Sequence, residues 1–261
     1  MAKTCTSETE LQNMGSVSQE VLTSCSKEEE LTVLEKYVQP CVAELLGSTL
    51  FISMGCLSVL VNPYGSGPML PALAHGLTLA SLIAVLGNVS GGHFNPAITL
   101  AVAISGGMNP ILLLPYWVVQ LSGGMLGALL AKGLAREEAF VNRTGAACML
   151  GNESSLGEAI GVEIVGTFLL NLTVLMGAIG DRSRTPFAPY SIAFTVIAGI
   201  LAGGSISGSC LNPARALGPA VVAGYWDYHW VYWVGPISAA IMVSLVFRFV
   251  LAGRSHRVCL K

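Results

Sequence analysis

Apolar residues form six runs along the chain that are each long enough to cross a bilayer. A spanning helix needs about 20 such residues, and the runs lie near 40–61, 70–89, 111–134, 156–179, 187–206 and 230–251. Two further apolar stretches, near 93–105 and 210–222, are too short to span, and each contains Asn-Pro. Interrupted segments at matching places in two halves of a chain are typical of a site near the middle of the membrane. The pattern therefore predicts six membrane-spanning helices and two half-helices.

The two short stretches repeat one another. Residues 90–100 and 207–217 are identical at six of eleven positions, at an offset of 117 residues. A second match, at an offset of 119, pairs Glu44 and Gly47 with Glu163 and Gly166. Two matches in the same order and at nearly the same spacing indicate an internal duplication. Because three spans separate the two Asn-Pro sites, the short stretches enter from opposite faces, and the repeats are inverted.

Each short stretch contains the sequence Asn-Pro-Ala. The six residues are Asn95, Pro96 and Ala97 in the first half and Asn212, Pro213 and Ala214 in the second. Asn is a preferred N-cap and Pro suits the first helical position, so each motif predicts the start of a short helix. Half-helices that enter from opposite sides would meet at their N-termini, each with about half a positive charge. The Asn side chains would keep amide N–H donors for whatever lies between them.

Glu44 and Glu163 are carboxylates inside predicted spans, where an unsatisfied charge is costly. The loops before the half-helices leave backbone N–H groups that need acceptors. We therefore expect each carboxylate to support one loop. The alternative is a pair of proton carriers in a pump, which would need a chain of further acids or histidines through the membrane. The sequence contains no such chain.

The composition excludes several classes of protein. Hydrophobic residues make up 53% of the chain and charged residues 11%, against about 25% charged residues in an average soluble domain. This balance excludes a soluble enzyme, a nucleic-acid binder and a disulfide-stapled secreted module. The seven cysteines are odd in number and scattered, so no disulfide framework or zinc site follows from them. We expect no catalytic residue, no cofactor and no metal.

Charge indicates how the chain lies in the membrane. Residues 1–36 carry seven acidic and three basic side chains, and we expect residues 1–37 to be a largely disordered acidic tail. Ser26 and Glu29 have capping-box spacing, which predicts a short helix, either on the membrane surface or in solvent. With both termini in the cytosol, the inside carries nine Lys and Arg residues and the outside three, as the positive-inside rule favours. The 134–156 loop then faces outside, with glycosylation sequons at Asn142 and Asn152.

The paired Asn-Pro-Ala motifs, the second followed by Arg215, and a glutamate in the first and fourth spans resemble the aquaporin (major intrinsic protein) family. The resemblance covers residues 38–252, in repeats of about 38–134 and 156–252, and leaves 253–261 as a cytosolic tail. It implies an all-α membrane protein: a right-handed bundle of six spans and two half-helices, with one pore per protomer, assembled as a homotetramer in the lipid bilayer. It also implies a channel, not an enzyme, in the plasma membrane and in intracellular membranes, including the mitochondrial inner membrane.

The resemblance also implies a narrow filter outside the Asn pair. By spacing, its four positions fall on His75, Ile200, Ser209 and Arg215. Water-selective members of the family have an aromatic residue on span two and a His on span five. His75 with Ile200 instead resembles the aquaporin-eight branch and plant tonoplast aquaporins, whose pores pass ammonia and hydrogen peroxide as well as water. Ser209 replaces an expected Gly, and Ala216 replaces the Asp of glycerol-conducting relatives, so glycerol is the less favoured cargo.

Cys210 is a candidate mercury site, because it lies two residues before Asn212 and next to Ser209. The alternative is a buried small hydrophobe, which is how free Cys usually behaves. If mercury inhibition does not depend on Cys210, Cys56 is the next candidate.

A cluster of aromatic residues lies at the start of the last span. Trp and Tyr favour the level of the lipid head groups. We therefore expect an interfacial belt made of Tyr225, Trp226, Tyr228, Trp230, Tyr232 and Trp233.

Two other classes of function remain open beside a passive channel for water, ammonia and hydrogen peroxide that excludes protons and ions. Inverted repeats also occur in coupled secondary transporters. Such a transporter would need more ionisable groups at the midplane than Glu44, Glu163 and Arg215. A structural junction protein could use the same fold without meaningful flow.

Overall fold

The structure is a computed structural model that describes residues 31–258. The chain divides between Lys36 and Tyr37 into two units. In the described part of the first unit, the Thr32 backbone N–H donates to Glu35 Oε2 at 2.9 Å and the Glu35 backbone N–H donates to Thr32 Oγ1 at 3.3 Å, which forms a capping box. The predicted capping pair at 26–29 and the predicted disorder of the tail lie outside the described residues.

The described part of the second unit is α-helical and contains no strand. Its helices are α1 (Gln39–Val61), α2 (Met69–Ser90), α3 (Pro96–Ile104), α4 (Leu113–Leu134), α5 (Glu137–Asn142), α6 (Leu156–Val174), α7 (Ala188–Gly203), α8 (Pro213–Ala223) and α9 (Val231–Val246). Single 3₁₀ turns lie at Pro110–Leu112 and Thr144–Ala146, and π-helical turns at Leu34–Val38, Leu175–Ile179 and Phe247–Leu251. The predicted all-α fold is confirmed. Helices α3 and α8 correspond to the two predicted half-helices.

Five helical stretches of the described chain are long and apolar enough to cross a membrane. They contain α1, α2, α4, α6 and α9. The fifth predicted span, 187–206, is shorter in the structure, because α7 has 16 residues and a length of about 24 Å at 1.5 Å per residue. The helix ends early because residues 204–212 form the loop that leads into α8.

Small residues allow α1 and α4 to pack closely. A Cβ atom on Gly123 would lie 2.8 Å from the Leu45 carbonyl oxygen, and one on Gly127 would lie 2.6 Å from the Thr49 carbonyl oxygen. Neither position has room for a side chain. Close backbone approach of this kind is a common way to associate helices in lipid, where dispersion contacts replace the hydrophobic effect.

Two buried tyrosines repeat the same contact in the two halves. The Tyr116 hydroxyl donates to the Ser90 carbonyl at 2.8 Å, and the Tyr232 hydroxyl donates to the Ser207 carbonyl at 2.9 Å. The prediction that Tyr232 belongs to an interfacial belt is therefore wrong, because this side chain is fully buried. Its hydroxyl bonds the Ser207 carbonyl, in the loop before α8.

The connection between α4 and α6 is ordered and holds α5, which the apolar pattern did not predict. The Arg143 guanidinium stacks 4.0 Å from the centre of the Tyr64 ring and donates to the Asn62 carbonyl. These contacts tie the connection to the α1–α2 turn. The two sequon residues, Asn142 and Asn152, are both exposed.

Candidate functional site

The two half-helices begin at Asn-Pro, as the sequence predicts. Asn95 is extended, and its Oδ1 accepts from the Ala97 N–H at 2.9 Å. Asn212 has the same conformation, and its Oδ1 accepts from the N–H groups of Ala214 at 2.9 Å and Arg215 at 3.3 Å. The predicted N-caps are confirmed. Each Asn side chain thus uses its oxygen on its own helix and keeps its amide nitrogen for other partners.

The amide nitrogens join the two halves of the chain. Asn95 Nδ2 donates to the Leu211 carbonyl at 2.9 Å, and Asn212 Nδ2 donates to the Phe94 carbonyl at 2.9 Å. The half-helix N-termini therefore lie side by side, as the inverted repeat predicts. The sequence did not predict these reciprocal bonds. An amide NH₂ group has two hydrogens, so one N–H of each Asn remains for a molecule between them.

The loop before α3 is held by Glu44. This buried carboxylate accepts from the backbone N–H groups of His93 at 2.9 Å and Phe94 at 2.7 Å. It also accepts from Gln120 Nε2 at 2.7 Å, a partner that the sequence analysis missed. Phe94 has a φ of 47°, in the left-handed region that favours glycine. The carboxylate therefore stabilises a backbone conformation that would otherwise be unfavourable.

Glu163 holds the loop before α8 in the same way. The buried carboxylate accepts from the backbone N–H groups of Cys210 and Leu211, both at 2.8 Å. The Ser207 hydroxyl donates to it at 2.8 Å. Leu211 has a φ of 56° and Ser209 a φ of 46°, so this loop also contains left-handed residues other than glycine.

One narrow cavity, of about 50 Å³, brings the predicted pore residues together. Its walls include His75, Ile200, Ser209, Arg215, Asn95 and Asn212. Since a water molecule needs about 10 to 15 Å³ of such space, the cavity has room for a short file of water molecules. At His93 and Ile98 it adjoins a wider vestibule of about 830 Å³.

The buried His75 side chain has a defined hydrogen-bonding pattern. Its Nδ1 lies 2.8 Å from the Pro71 carbonyl, which can only accept, so Nδ1 carries the hydrogen. In the neutral ring, Nε2 is then an acceptor; it is buried and has no hydrogen-bond partner among residues 31–258. The ring packs edge-on against Phe51, with 5.7 Å between centroids, and lies directly against Gly55.

Arg215 places a fixed positive charge in the wall of the cavity. Its Nη1 donates to the Ala146 carbonyl at 3.0 Å and to Cys148 Sγ at 2.9 Å. No carboxylate of the described chain forms an ion pair with it. Since a guanidinium does not lose its proton in proteins, this charge is permanent and only partly compensated by the two acceptors.

Ser209 has a left-handed backbone conformation, and its side chain is hydrogen-bonded to α7. The hydroxyl donates to the Gly199 carbonyl at 2.7 Å. The bond compensates in part for the left-handed φ at this residue. Ser209 thus fits where glycine was expected because α7 supplies an acceptor at Gly199, the residue before Ile200.

Cys148 and Cys210 form a disulfide, with 6.1 Å between their Cα atoms. The sequence analysis expected no disulfide and a free thiol at Cys210, and both expectations are wrong for this structure. The two residues are 62 positions apart, and nothing in the spacing pairs them. Of the other cysteines that the structure describes, Cys41 and the buried Cys56 are free.

The tyrosine pair was also missed as part of the site, although a signal for it exists. Tyr116 and Tyr232 are 116 residues apart, almost the offset of the Asn-Pro-Ala motifs. They bond the first residues of the two repeated loops. Extending the repeat comparison beyond the two motifs would have found them.

A family profile described as "Major intrinsic protein" matches residues 31–247. The chain belongs to the major intrinsic protein family. Aquaporin-8 of Rattus norvegicus is 57% identical to it over 228 residues, which cover 87% of each chain. Aquaporin TIP1-2 of Zea mays is 37% identical over 230 residues, which cover 83% of this chain and 87% of that protein.

Among solved structures, the aquaglyceroporin from Plasmodium falciparum superposes on this major intrinsic protein with a TM-score of 0.72. The match covers 82% of this chain and 97% of the other, at 21% sequence identity, and it shows the fold alone. Members of the family are membrane channels. The resemblance drawn from the paired motifs is therefore confirmed.

Proposed function

We propose that this protein is a passive channel for water and small neutral solutes, among them ammonia and hydrogen peroxide, and that it excludes protons and ions. The main support is the narrow cavity, because it brings the Asn pair and the four filter positions into one continuous wall. The names of the relatives, aquaporin-8 and aquaporin TIP1-2, support water as a permeant.

Water is oriented at the Asn pair. The free N–H of Asn95 and that of Asn212 donate to the oxygen of one central water, whose hydrogens then face outward along the pore in both directions. Two positive half-helix ends favour the same orientation and repel cations. A chain of water molecules that reverses its direction at this point does not carry protons.

The filter selects neutral molecules by charge and hydrogen bonding. Arg215 disfavours ammonium and other cations, because its own charge lacks an ion-pair partner in the described chain. Ammonia carries no such penalty and exchanges hydrogen bonds with His75, whose ring lines the cavity. Ile200 supplies width without a competing donor. Desolvating a neutral molecule costs a few kcal/mol and is largely repaid by such bonds, whereas an ion costs far more.

Osmotic swelling of proteoliposomes tests the proposal. A channel produces water flux that rises linearly with the osmotic gradient, without saturation and without an ion gradient. A coupled transporter would saturate and depend on a driving ion, and a junction protein would leave the vesicles as tight as empty ones. Either of these results would overturn the proposal.

The setting of the channel belongs to the same proposal. We place the channel in residues 38–252 of each protomer of a homotetramer, with both termini in the cytosol, in the plasma membrane and intracellular membranes such as the mitochondrial inner membrane. The exposure of Asn142 and Asn152 supports glycosylation of the outer connection. Treatment with a glycosidase should shift the electrophoretic mobility of the wild type and leave the double Asn→Gln variant unchanged; a shift in both would contradict these sites.

A further inference from the structure

The disulfide lies beside the filter and joins the connection between α5 and α6 to the loop that contains Ser209. Cys148 belongs to the connection between α5 and α6, and Cys210 follows the filter residue Ser209. Both cysteines are buried, and they pack with Ala216 and Tyr232 in one small cluster. The backbone N–H of Cys210 is held by Glu163 at 2.8 Å. The disulfide thus fixes the connection to a loop that is itself anchored inside the bundle.

The position of the Arg215 charge depends on the same connection. Both acceptors of Nη1, the Ala146 carbonyl and Cys148 Sγ, lie within three residues of one another. Beyond these bonds and the disulfide, the described connection meets the loop before α8 through a backbone bond from the Gly151 N–H to the Ile206 carbonyl, at 2.9 Å. Opening the disulfide therefore removes the covalent part of the support for the guanidinium.

We propose that the Cys148–Cys210 pair is a redox-responsive element of solute selectivity. The closed disulfide holds the connection against Arg215 and keeps the constriction narrow. When it opens, the guanidinium gains freedom, and the constriction passes neutral solutes wider than ammonia, such as glycerol, more easily relative to water. Cys148 acts here as a positioning residue through Arg215. This inference rests on the proposed filter.

The disulfide opens by exchange with a dithiol and closes by oxidation with hydrogen peroxide. A thiolate of a small dithiol attacks one sulfur of the pair and releases the other as a thiolate; the second thiol of the reagent then displaces the first protein sulfur and leaves as a cyclic disulfide. For closure, one protein thiolate attacks hydrogen peroxide, the O–O bond breaks, and a sulfenic acid and a hydroxide ion form; the hydroxide takes up the proton that the thiol had released and becomes water. The second thiol displaces a second water from the sulfenic sulfur. An oxidising compartment outside the membrane favours the closed state.

The experiment uses full-length protein in which the other five cysteines, at positions 5, 25, 41, 56 and 259, are replaced by Ser. Water and glycerol permeabilities of proteoliposomes are measured before and after dithiothreitol and again after hydrogen peroxide. A mass-tagging maleimide counts thiols in each state. We expect no tag at first and two after reduction. The glycerol-to-water ratio should rise by about threefold, which corresponds to about 0.7 kcal/mol, and should fall again after peroxide.

Two variants in the same background separate the covalent bond from the fold. Cys148→Ser and Cys210→Ser should both show the raised ratio without reductant and should not respond to it. Two tags before reduction would overturn the proposal, as would an unchanged ratio once two thiols have appeared, or a Cys148→Ser variant with the ratio of the closed protein. Failure of the proposed channel function is a different result, since no state would then carry water faster than empty vesicles.

Discussion

At the scale of single residues, the position of His75 depends on the absence of a side chain at Gly55. The imidazole lies so close to this glycine that a Cβ atom there would overlap the ring. Because a packed site cannot absorb the extra methyl group, we expect Gly55→Ala to push the ring into the narrow cavity. Osmotic water permeability should fall by about tenfold, which corresponds to about 1.4 kcal/mol in the barrier to permeation. Stopped-flow light scattering on proteoliposomes measures the change.

The matched control for this prediction is Gly133→Ala. A Cβ atom at Gly133, near the end of α4, would meet no atom within 4 Å. This variant should retain the water permeability of the wild type. Equal permeability in Gly55→Ala would mean that His75 does not border the path of water.

In the proposed filter, we expect Ile200 to set how well ammonia competes with water. Ile200→His adds a bulky donor opposite His75 and should cut ammonia flux more than water flux, because ammonia loses space without gaining a better acceptor. We expect the ammonia-to-water ratio to fall by about fivefold or more, a typical effect of a small change in a selective pocket. Vesicles loaded with a pH-sensitive dye report ammonia entry. An unchanged ratio would remove Ile200 from the filter.

Mercury inhibition should depend on the redox state of Cys210. A mercurial needs a thiolate, and the disulfide with Cys148 leaves none at this position. We expect HgCl₂ to block water flux strongly only after reduction with a dithiol that is then removed. Cys210→Ser should abolish that block. Persistent inhibition in this variant would assign the effect to another cysteine: either Cys148, which loses its disulfide partner in the variant, or the buried Cys56.

At the scale of elements, each half-helix depends on a carboxylate from the first helix of its own repeat. Glu163→Gln leaves one acceptor oxygen and turns a donor towards the N–H group of either Cys210 or Leu211, which bond different oxygens of the carboxylate. We expect a loss of about 2 to 4 kcal/mol of stability, seen as a lower thermal unfolding temperature in detergent, and a loss of water flux. Glu153→Gln, at an exposed loop position, is the control. If both variants melt like the wild type, Glu163 does not support the loop.

The elements also show what a sequence can predict. The N-caps at Asn95 and Asn212 follow from residue type, because Asn-Pro suits the first turn of a helix. The bonds from these side chains to the Leu211 and Phe94 carbonyls depend on how the two halves dock, which no local pattern contains. The pairing of Cys148 with Cys210 was missed for the same reason. The early end of α7 was missed because Ile206 extends the apolar run past the helix, although Gly203, Gly204 and Ser205 favour a helix end.

At the scale of the whole molecule, each of the two inverted halves contributes one loop and one half-helix to the wall of the narrow cavity. The repeat duplicates the carboxylate, the tyrosine and the N-cap, but the filter side chains differ between the halves. Arg215 occupies the position of Ile98 in the first repeat, and Cys210 that of His93. The duplicated residues build the scaffold, and the differing residues place the proposed filter on one side of the path.

The central claim is that one path conducts water and not protons. Both fluxes can be measured in the same proteoliposomes. Shrinkage under an osmotic gradient reports water flux, and an internal pH dye reports proton flux under an imposed pH gradient. Valinomycin and potassium prevent a diffusion potential. The account predicts water flux far above that of protein-free vesicles and a proton leak equal to theirs. A proton leak that rises with the amount of protein, in parallel with water flux, would contradict it.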